Sequence, residues 1–490
     1  MSLVVLSNRL PYAVSRSEDG SFSVEPGSGG LVTALRPILQ DRGGRWIGWA
    51  GIPSEELGDA GEVFGRSKQH YGYELVDVPL SASEEADFYH GFSNEVVWPL
   101  FHDMPSQCRF LPRYWTAYQE VNRRFAEVTS RCASADDFVW VHDYHLMLVA
   151  RELRSMGHEA KTGFFLHIPF PPLDLFLKLP WRFPILMGLL EHDLIGFQTP
   201  RDRRNFLECI RRLVPDAVVS GNKGDVRTVQ LETRTVRVGA FPISIDAAEF
   251  ESRARRPEAV SGLQALRADE QNRRIILGID RLDYTKGIPE KFESFRALLQ
   301  RHEDMRGGVT LIQIVVPSRE EIPGYQDQKV AIERLVGEIN GQFTRSGWVP
   351  IHYIYRSLAG PELSAYYLAA DIALVTPLKD GMNLVCKEYC ATRSDEDGVL
   401  MLSEFAGASG ELQRGALLVN PYDTEGVAET IRRALEMPPA ARRSRMRRLR
   451  RVVFENDIYR WVDRFLAAAI ERELNDFPVV EEYLPEAARS

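Results

Sequence analysis

Residues 372–388 read Ile372-Ala373-Leu374-Val375-Thr376-Pro377-Leu378-Lys379-Asp380-Gly381-Met382-Asn383-Leu384-Val385-Cys386-Lys387-Glu388. The first five form a short run with apolar residues on both alternating faces, the next five a polar turn, and a helical pattern starts near Met382. Such a run followed by a turn and a helix is the repeating unit of a parallel sheet covered on both sides. The same scheme recurs outward from this stretch, with runs at 274–279, 309–316, 351–355, 399–402 and 416–419. It also fills the first half, at 3–6, 138–141, 163–167, 194–197 and 236–241. The expected class is α/β, with two doubly wound Rossmann-like domains. Residues 1–245 are expected as an N-terminal domain and 246–454 as a C-terminal one. In 455–490 a helix is expected to cross back to the first domain, followed by a tail. The charged, weakly periodic stretch 249–270 reads as a linker.

The 490 residues are ample for two cores, and 44% hydrophobic with 26% charged is an ordinary globular composition. Sixty Lys and Arg against sixty-nine Asp and Glu give a formal charge of −9. That balance argues against a chain that coats nucleic acid or an anionic membrane, so anionic ligands are to be held locally. The opening MSLVVLSNRLPY lacks a basic region before its apolar stretch and reads as a buried strand rather than a secretory signal. The most apolar region, 176–197, is broken by Lys178, Arg182, Glu191 and Asp193, which argues against a membrane span. Five cysteines without a CxxC pair suggest reduced thiols in the cytoplasm. Seven arginines between Arg442 and Arg451 read as one solvated helix face, ahead of a long amphipathic helix at 458–474.

In open parallel sheets ligands collect beyond the carboxyl ends of strands. In the opening stretch, Asp380 and the backbone amides of Gly381, Met382, Asn383, Leu384 and Val385 form a candidate anion site at a helix N-terminus. Glu388 lies farther along that helix, facing another part of the same ligand. Past the run 274–279 stand Arg281 and Lys286, five residues apart around a turn, able to converge on a diphosphate. Arg319 follows the run at 309–316. In the first half, Arg9 ends the first strand, and Gly27-Ser28-Gly29-Gly30 opens a helix as an amide-rich cradle. His142-Asp143-Tyr144-His145 and His167 follow two further strands. Adjacent residues point in different directions, so the HDYH stretch suits hydrogen bonds to a sugar better than a metal. Tyr89, Phe92 and Trp98 form an aromatic region suited either to sugar stacking or to a core.

Taken together, SNRLP, SGGL, FYHGFSNEVVWPLFH, WVHDYHL, FFLHIPFP, LIGFQT, RLDYTKGIPE, VPSRE, TPLKDGMNLVCKEY and LSEFAGA stand in the order of the trehalose-6-phosphate synthase family, which the chain resembles over nearly its whole length. The resemblance implies a GT-B type pair of Rossmann-like domains facing an interdomain cleft. It implies a retaining transfer of glucose from a nucleoside-diphosphate glucose, UDP-glucose foremost, to glucose 6-phosphate, with no metal or other cofactor. Its donor residues would be Arg281 and Lys286 on the diphosphate, Asp380 with the 381–385 amides, Glu388 on the ribose, and Gly30 near the phosphates. His167 would meet the transferred glucose. Arg9 and Arg319 would hold the acceptor phosphate, with Tyr89, Trp98 and Asp143 around the acceptor sugar. The expected partners are small molecules, not nucleic acid or membrane, with assembly into a dimer or tetramer. Two rivals are a glucosylglycerol-phosphate synthase using glycerol 3-phosphate and a non-catalytic subunit of a synthase complex. The intact acceptor-side motifs disfavour the first, and the intact donor set disfavours the second.

Overall fold

A computed structural model of the chain describes residues 2–16, 22–26, 32, 35–36, 39–40, 43–57, 71–221, 226–270, 273–319, 322–358, 360–470 and 480–485. It divides into two compact units, Met1–Pro242 with Trp461–Val480, and Ile243–Arg460 with Glu481–Ser490.

Among the described residues the first unit has strands β1 (Leu3–Arg9), β2 (Tyr12–Arg16), β3 (Phe22–Pro26), β4 (Arg45–Trp49), β5 (Glu74–Asp77), β6 (Phe138–His142), β7 (Lys161–Phe165), β8 (Leu194–Phe197), β9 (Val218–Ser220), β10 (Val226–Gln230) and β11 (Thr235–Ala240). Nine of them form one sheet in the order β5-β4-β1-β6-β7-β8-β11-β10-β9, while β2 and β3 pair antiparallel. The pairings from β5 to β11 are parallel, and β10 and β9 close the edge antiparallel. The apolar runs are buried from end to end in β6 and β8 because both faces are covered. One cover is the helix Ile458–Ile470, whose Phe465 stacks on Trp140 at 4.4 Å and 8°. Gly163 and Gly196 make room for that ring. A Cβ on the former would lie 2.9 Å from it and on the latter 2.7 Å.

The second unit has strands β12 (Arg274–Arg281), β13 (Val309–Val316), β14 (Ile351–Tyr355), β15 (Ile372–Val375), β16 (Val399–Ser403) and β17 (Leu417–Val419). They form a wholly parallel sheet in the order β14-β13-β12-β15-β16-β17. The chain thus runs outward from β12 on one side and then restarts at β15 on the other, the point where doubly wound sheets place their ligands. The first unit does the same around β1, with β4 on one side and β6 on the other. Behind β12, the helix Ile288–Arg301 buries Ile288, Phe292, Phe295, Leu298 and Leu299 on one face. The same face buries Lys291, whose Nζ lies 2.5 Å from Asp280 Oδ2, an oxygen that also accepts from Gln313 at 2.9 Å.

Three expectations change. Residues 249–270 form helices, Ala247–Ala254 and Pro257–Asp269, rather than a linker. The Asp246 carboxylate caps the first by accepting the Glu249 N–H at 3.0 Å, Pro257 starts the second, and Gly262 lets the latter approach Ala365 closely. The arginine-rich helix, Pro439–Glu455, is more than a solvated face. Arg442 forks onto Asp397 at 2.7 and 3.1 Å, and Arg450 donates to the Cys390 and Ala391 carbonyls, satisfying the end of a neighbouring helix. Finally, β4 and β5 add parallel strands that the sequence reading did not include. The described part of 458–474 is helical to Ile470, and the described tail residues 480–485 adopt neither helix nor strand. Among the described residues no helix is long and apolar enough to cross a membrane.

Candidate active site

In the second unit the sequence places Arg281 at the exposed carboxyl end of β12. Beyond it Asp283 accepts from the Thr285 N–H at 3.0 Å and the Thr285 hydroxyl at 2.9 Å, forming a tight turn. The turn ends at Gly287 with φ +64°, where a Cβ would stand 2.5 Å from the Thr376 carbonyl oxygen. Only glycine tolerates both demands. This geometry brings Lys286 inward, 8% exposed, with Nζ 2.5 Å from Asp380 Oδ2 in the loop after β15. The two elements on either side of the β12/β15 restart are therefore joined by a charged pair.

Arg319, held at φ +50°, donates to the Tyr325 hydroxyl at 2.6 Å and stands 3.8 Å from Asp283. Burial alone would raise the Asp283 carboxyl. The charges of Arg319, Lys286 and Arg281, with the Thr285 N–H, outweigh it and hold the group below the ordinary carboxylate range. Three cations thus gather around two aspartates at the strand ends. Such a site attracts a polyanion.

The loop after β15 runs longer than the sequence suggests. The helix is Leu384–Thr392, and Asn383, at φ +73°, caps it by accepting the Cys386 N–H at 3.3 Å. Leu384 and Val385 lie in its first turn, with N–H groups that no helical carbonyl can satisfy. Gly381 and Met382 lie in the loop, where the Met382 N–H reaches Asp380 Oδ1 at 3.4 Å. The segment after β16 supports this loop. Gly407 donates to the Asp380 carbonyl at 3.1 Å, and a Cβ there would overlap the Gly381 carbonyl. Glu388 is deeply set, and its Oε2 accepts from the Tyr367 hydroxyl at 2.7 Å. Burial raises its carboxyl despite that hydrogen bond.

In the first unit Arg9 ends β1 with its guanidinium 4.5 Å over Trp49 and 5.3 Å from Tyr89. Glu85 stands 4.0 Å from it. Tyr89 belongs to a π-helical stretch, Glu85–Val97, and stacks on His145 at 5.9 Å and 14°. Trp98 is 4% exposed and packs on His102 and Tyr144, so most of its ring belongs to the core. Phe92 is likewise fully buried. Asp143, at φ +74°, accepts the His167 N–H at 3.2 Å, tying the loops after β6 and β7 together. Ring nitrogens of His142 and His167 lie 3.1 Å apart. Among the described residues no group of three or more His, Cys, Asp and Glu could hold a metal ion. Gly30 and the rest of its glycine loop lie outside the described residues.

The structure thus brings Arg281, Lys286, Arg319 and Asp380 together in the second unit. In the first it brings Arg9 to Tyr89, and Asp143 to His167. Sequence reasoning missed Asp283, Tyr367, Trp49 and Glu85. Asp283 was within reach, since a carboxylate between two cations in a turn is the natural organiser of both.

The family model of glycosyltransferase family 20 matches residues 1–471. A trehalose-6-phosphate synthase of Mycobacterium sp. (strain JLS) is 48% identical over 470 residues, covering 95% of each chain. That of Mycobacterium marinum is 46% identical over 478 residues, 96% of this chain and 94% of the other. Among solved structures, the UDP-forming α,α-trehalose-phosphate synthase of Burkholderia xenovorans in complex with glucose-6-phosphate superposes with a TM-score of 0.86 at 34% identity, over 96% of this chain and 100% of that one. An E. coli trehalose-6-phosphate structure bound with UDP-2-fluoro glucose gives 0.85 at 35%, over 96% and 99%. The chain belongs to glycosyltransferase family 20.

Proposed function

We propose that this chain transfers the glucosyl group of UDP-glucose to the anomeric hydroxyl of glucose 6-phosphate with retention, giving α,α-trehalose 6-phosphate and UDP. The observation that carries the reading is the cluster of Arg281, Lys286 and Arg319 around Asp283 and Asp380, at the strand restart of a doubly wound sheet. The relatives' names, and the glucose-6-phosphate and UDP-2-fluoro glucose bound in two of the neighbouring structures, support the same choice of donor and acceptor.

In this reading Arg281 and Lys286 bind the diphosphate, and Glu388, held by Tyr367, takes the ribose hydroxyls. Asp380 and the amides of the 381–385 segment hold the glucose hydroxyls and phosphate. Arg9 and Arg319 take the acceptor's 6-phosphate, with Tyr89, Trp98 and Asp143 at its sugar. His167 faces the transferred glucose. The C1–O bond to the diphosphate breaks, the C1–O bond to the acceptor forms on the same face, and the acceptor's hydroxyl proton passes to the departing phosphate oxygen. Positioning and charge stabilisation then supply most of the acceleration. Assembly into a dimer or tetramer and a cytoplasmic location belong to the same proposal, the latter supported by five free thiols.

Initial rates with UDP-, GDP- and ADP-glucose, each against glucose 6-phosphate and glycerol 3-phosphate, test the reading. UDP-glucose with glucose 6-phosphate is expected to be fastest. Preference for glycerol 3-phosphate would overturn it.

A further inference from the structure

His142 closes β6 with its side chain fully buried, and its Nδ1 lies 3.1 Å from Nε2 of His167, two residues past β7. Trp140 stands 4.7 Å from the His142 ring, Phe165 4.7 Å from the His167 ring, and Trp461 6.4 and 6.2 Å from the two. This aromatic enclosure keeps water from His142 and crowds one side of His167. Burial pushes His167 down to about 3, and burial with the neighbouring imidazole pushes His142 well below the ordinary range. Both rings are therefore neutral at physiological pH.

Two neutral imidazoles in hydrogen-bond contact share one bridging proton, so the tautomer of one dictates that of the other. The far nitrogen of His142, Nε2, is buried without a hydrogen-bond partner. An orphaned buried N–H is costlier and rarer than an under-satisfied acceptor, which leaves Nε2 as the bare nitrogen and puts the proton on Nδ1. We infer that His142 is a positioning residue: its Nδ1–H donates to Nε2 of His167 and so fixes His167 as the tautomer with its own proton on Nδ1. The backbone is already pinned, because Asp143 accepts the His167 N–H at 3.2 Å while its own N–H donates to the Phe165 carbonyl at 2.8 Å. The imidazole contact fixes the remaining freedom, that of the ring. His167 stays partly exposed, so Nδ1–H is the ring group offered to a ligand, and it offers a donor rather than an acceptor. Under the proposed function that ligand is a hydroxyl oxygen of the transferred glucose, and the inference rests on that reading for its catalytic consequence.

The test uses the full chain with His142→Phe, which keeps an aromatic ring but removes the donor, and His142→Asn, which returns an amide N–H near the Nδ1 position. With UDP-glucose and glucose 6-phosphate, His142→Phe should lower kcat about 10–100-fold, the range for loss of an outer-shell orienting partner. KM for glucose 6-phosphate should stay within about twofold, and His142→Asn should recover most of the rate. Nitrogen-15 NMR of histidine-labelled parent protein should show the His167 proton on Nδ1, and redistribution toward Nε2 in His142→Phe. A folded His142→Phe protein with parental kcat, or a parent spectrum with the His167 proton on Nε2, overturns the inference. If the parent makes no trehalose 6-phosphate, the activity reading fails instead, and the NMR arm still decides the histidine pair.

Discussion

Replacing Lys286 with Met keeps the length of the side chain and removes the charge that stands 2.5 Å from Asp380. Arg281, Lys286 and Arg319 cluster around Asp283 and Asp380, and the substitution removes one of these three cations. A cation about 4 Å from a developing phosphate charge is worth about 4 kcal/mol at an effective dielectric of about 20. Loss of one preorganised charge-stabilising group in known enzymes costs about 10²–10³ in kcat, about 2.7–4 kcal/mol, in agreement with that figure. We expect kcat for UDP release to fall by about that factor. Folding should suffer less. The pair is 10% and 13% exposed, and Asp380 keeps Asn383 Nδ2 at 3.2 Å and the Met382 N–H at 3.4 Å. A loss of about 1–3 kcal/mol in urea unfolding follows from an under-satisfied carboxylate. Adding Asp380→Asn should restore stability without restoring rate. A folded Lys286→Met protein with kcat within threefold of the parent would overturn the assignment of Lys286 to the diphosphate.

Tyr367→Phe removes the hydroxyl from which Glu388 accepts a hydrogen bond at 2.7 Å, so calorimetric UDP affinity should fall about 5–10-fold, the worth of one ordinary hydrogen bond, while 2′,3′-dideoxy-UDP binding stays unchanged. Lys291→Ala leaves Asp280 buried without its cation and should cost about 3–5 kcal/mol in urea unfolding. His192, fully buried with neither ring nitrogen hydrogen-bonded, has its proton affinity pushed down by burial and then by Arg234 and Arg154. The unfolded chain therefore binds a proton there that the folded chain refuses. Stability is kept above pH ~6.5 and falls as pH drops below it, by about 1.4 kcal/mol per pH unit from this residue. Urea midpoints at pH 7.5, 6.0 and 5.0 should show His192→Leu with a shallower slope than the parent, and equal slopes would contradict the assignment.

The parallel sheets were legible because strands covered on both faces are almost wholly apolar, as 138–141 and 194–197 are. The strand Glu74–Asp77 hid because its sequence, ELVD, holds only two apolar residues. The π-helical stretch Glu85–Val97 follows neither a period of 2 nor one of 3.6, so no pattern search could name its element. Asn383 in a left-handed cap moved the helix start from near Met382 to Leu384, a choice that depends on the Cys386 N–H meeting its side chain. Arg281, Lys286 and Asp380 stood out because each follows a strand end. Lys291 and Lys387 are buried because Asp280 in one case, and Glu411 with the Ile243 carbonyl in the other, await them inside the unit. Such partners are distant in sequence and invisible to local reasoning.

Under the proposed function the glucosyl group passes to glucose 6-phosphate with its α configuration retained. Proton NMR of the product formed from UDP-glucose and glucose 6-phosphate tests it most directly. A single disaccharide phosphate with both anomeric centres α, formed in step with UDP, is expected. A β-linked disaccharide, or UDP released with free glucose and no disaccharide, would contradict it.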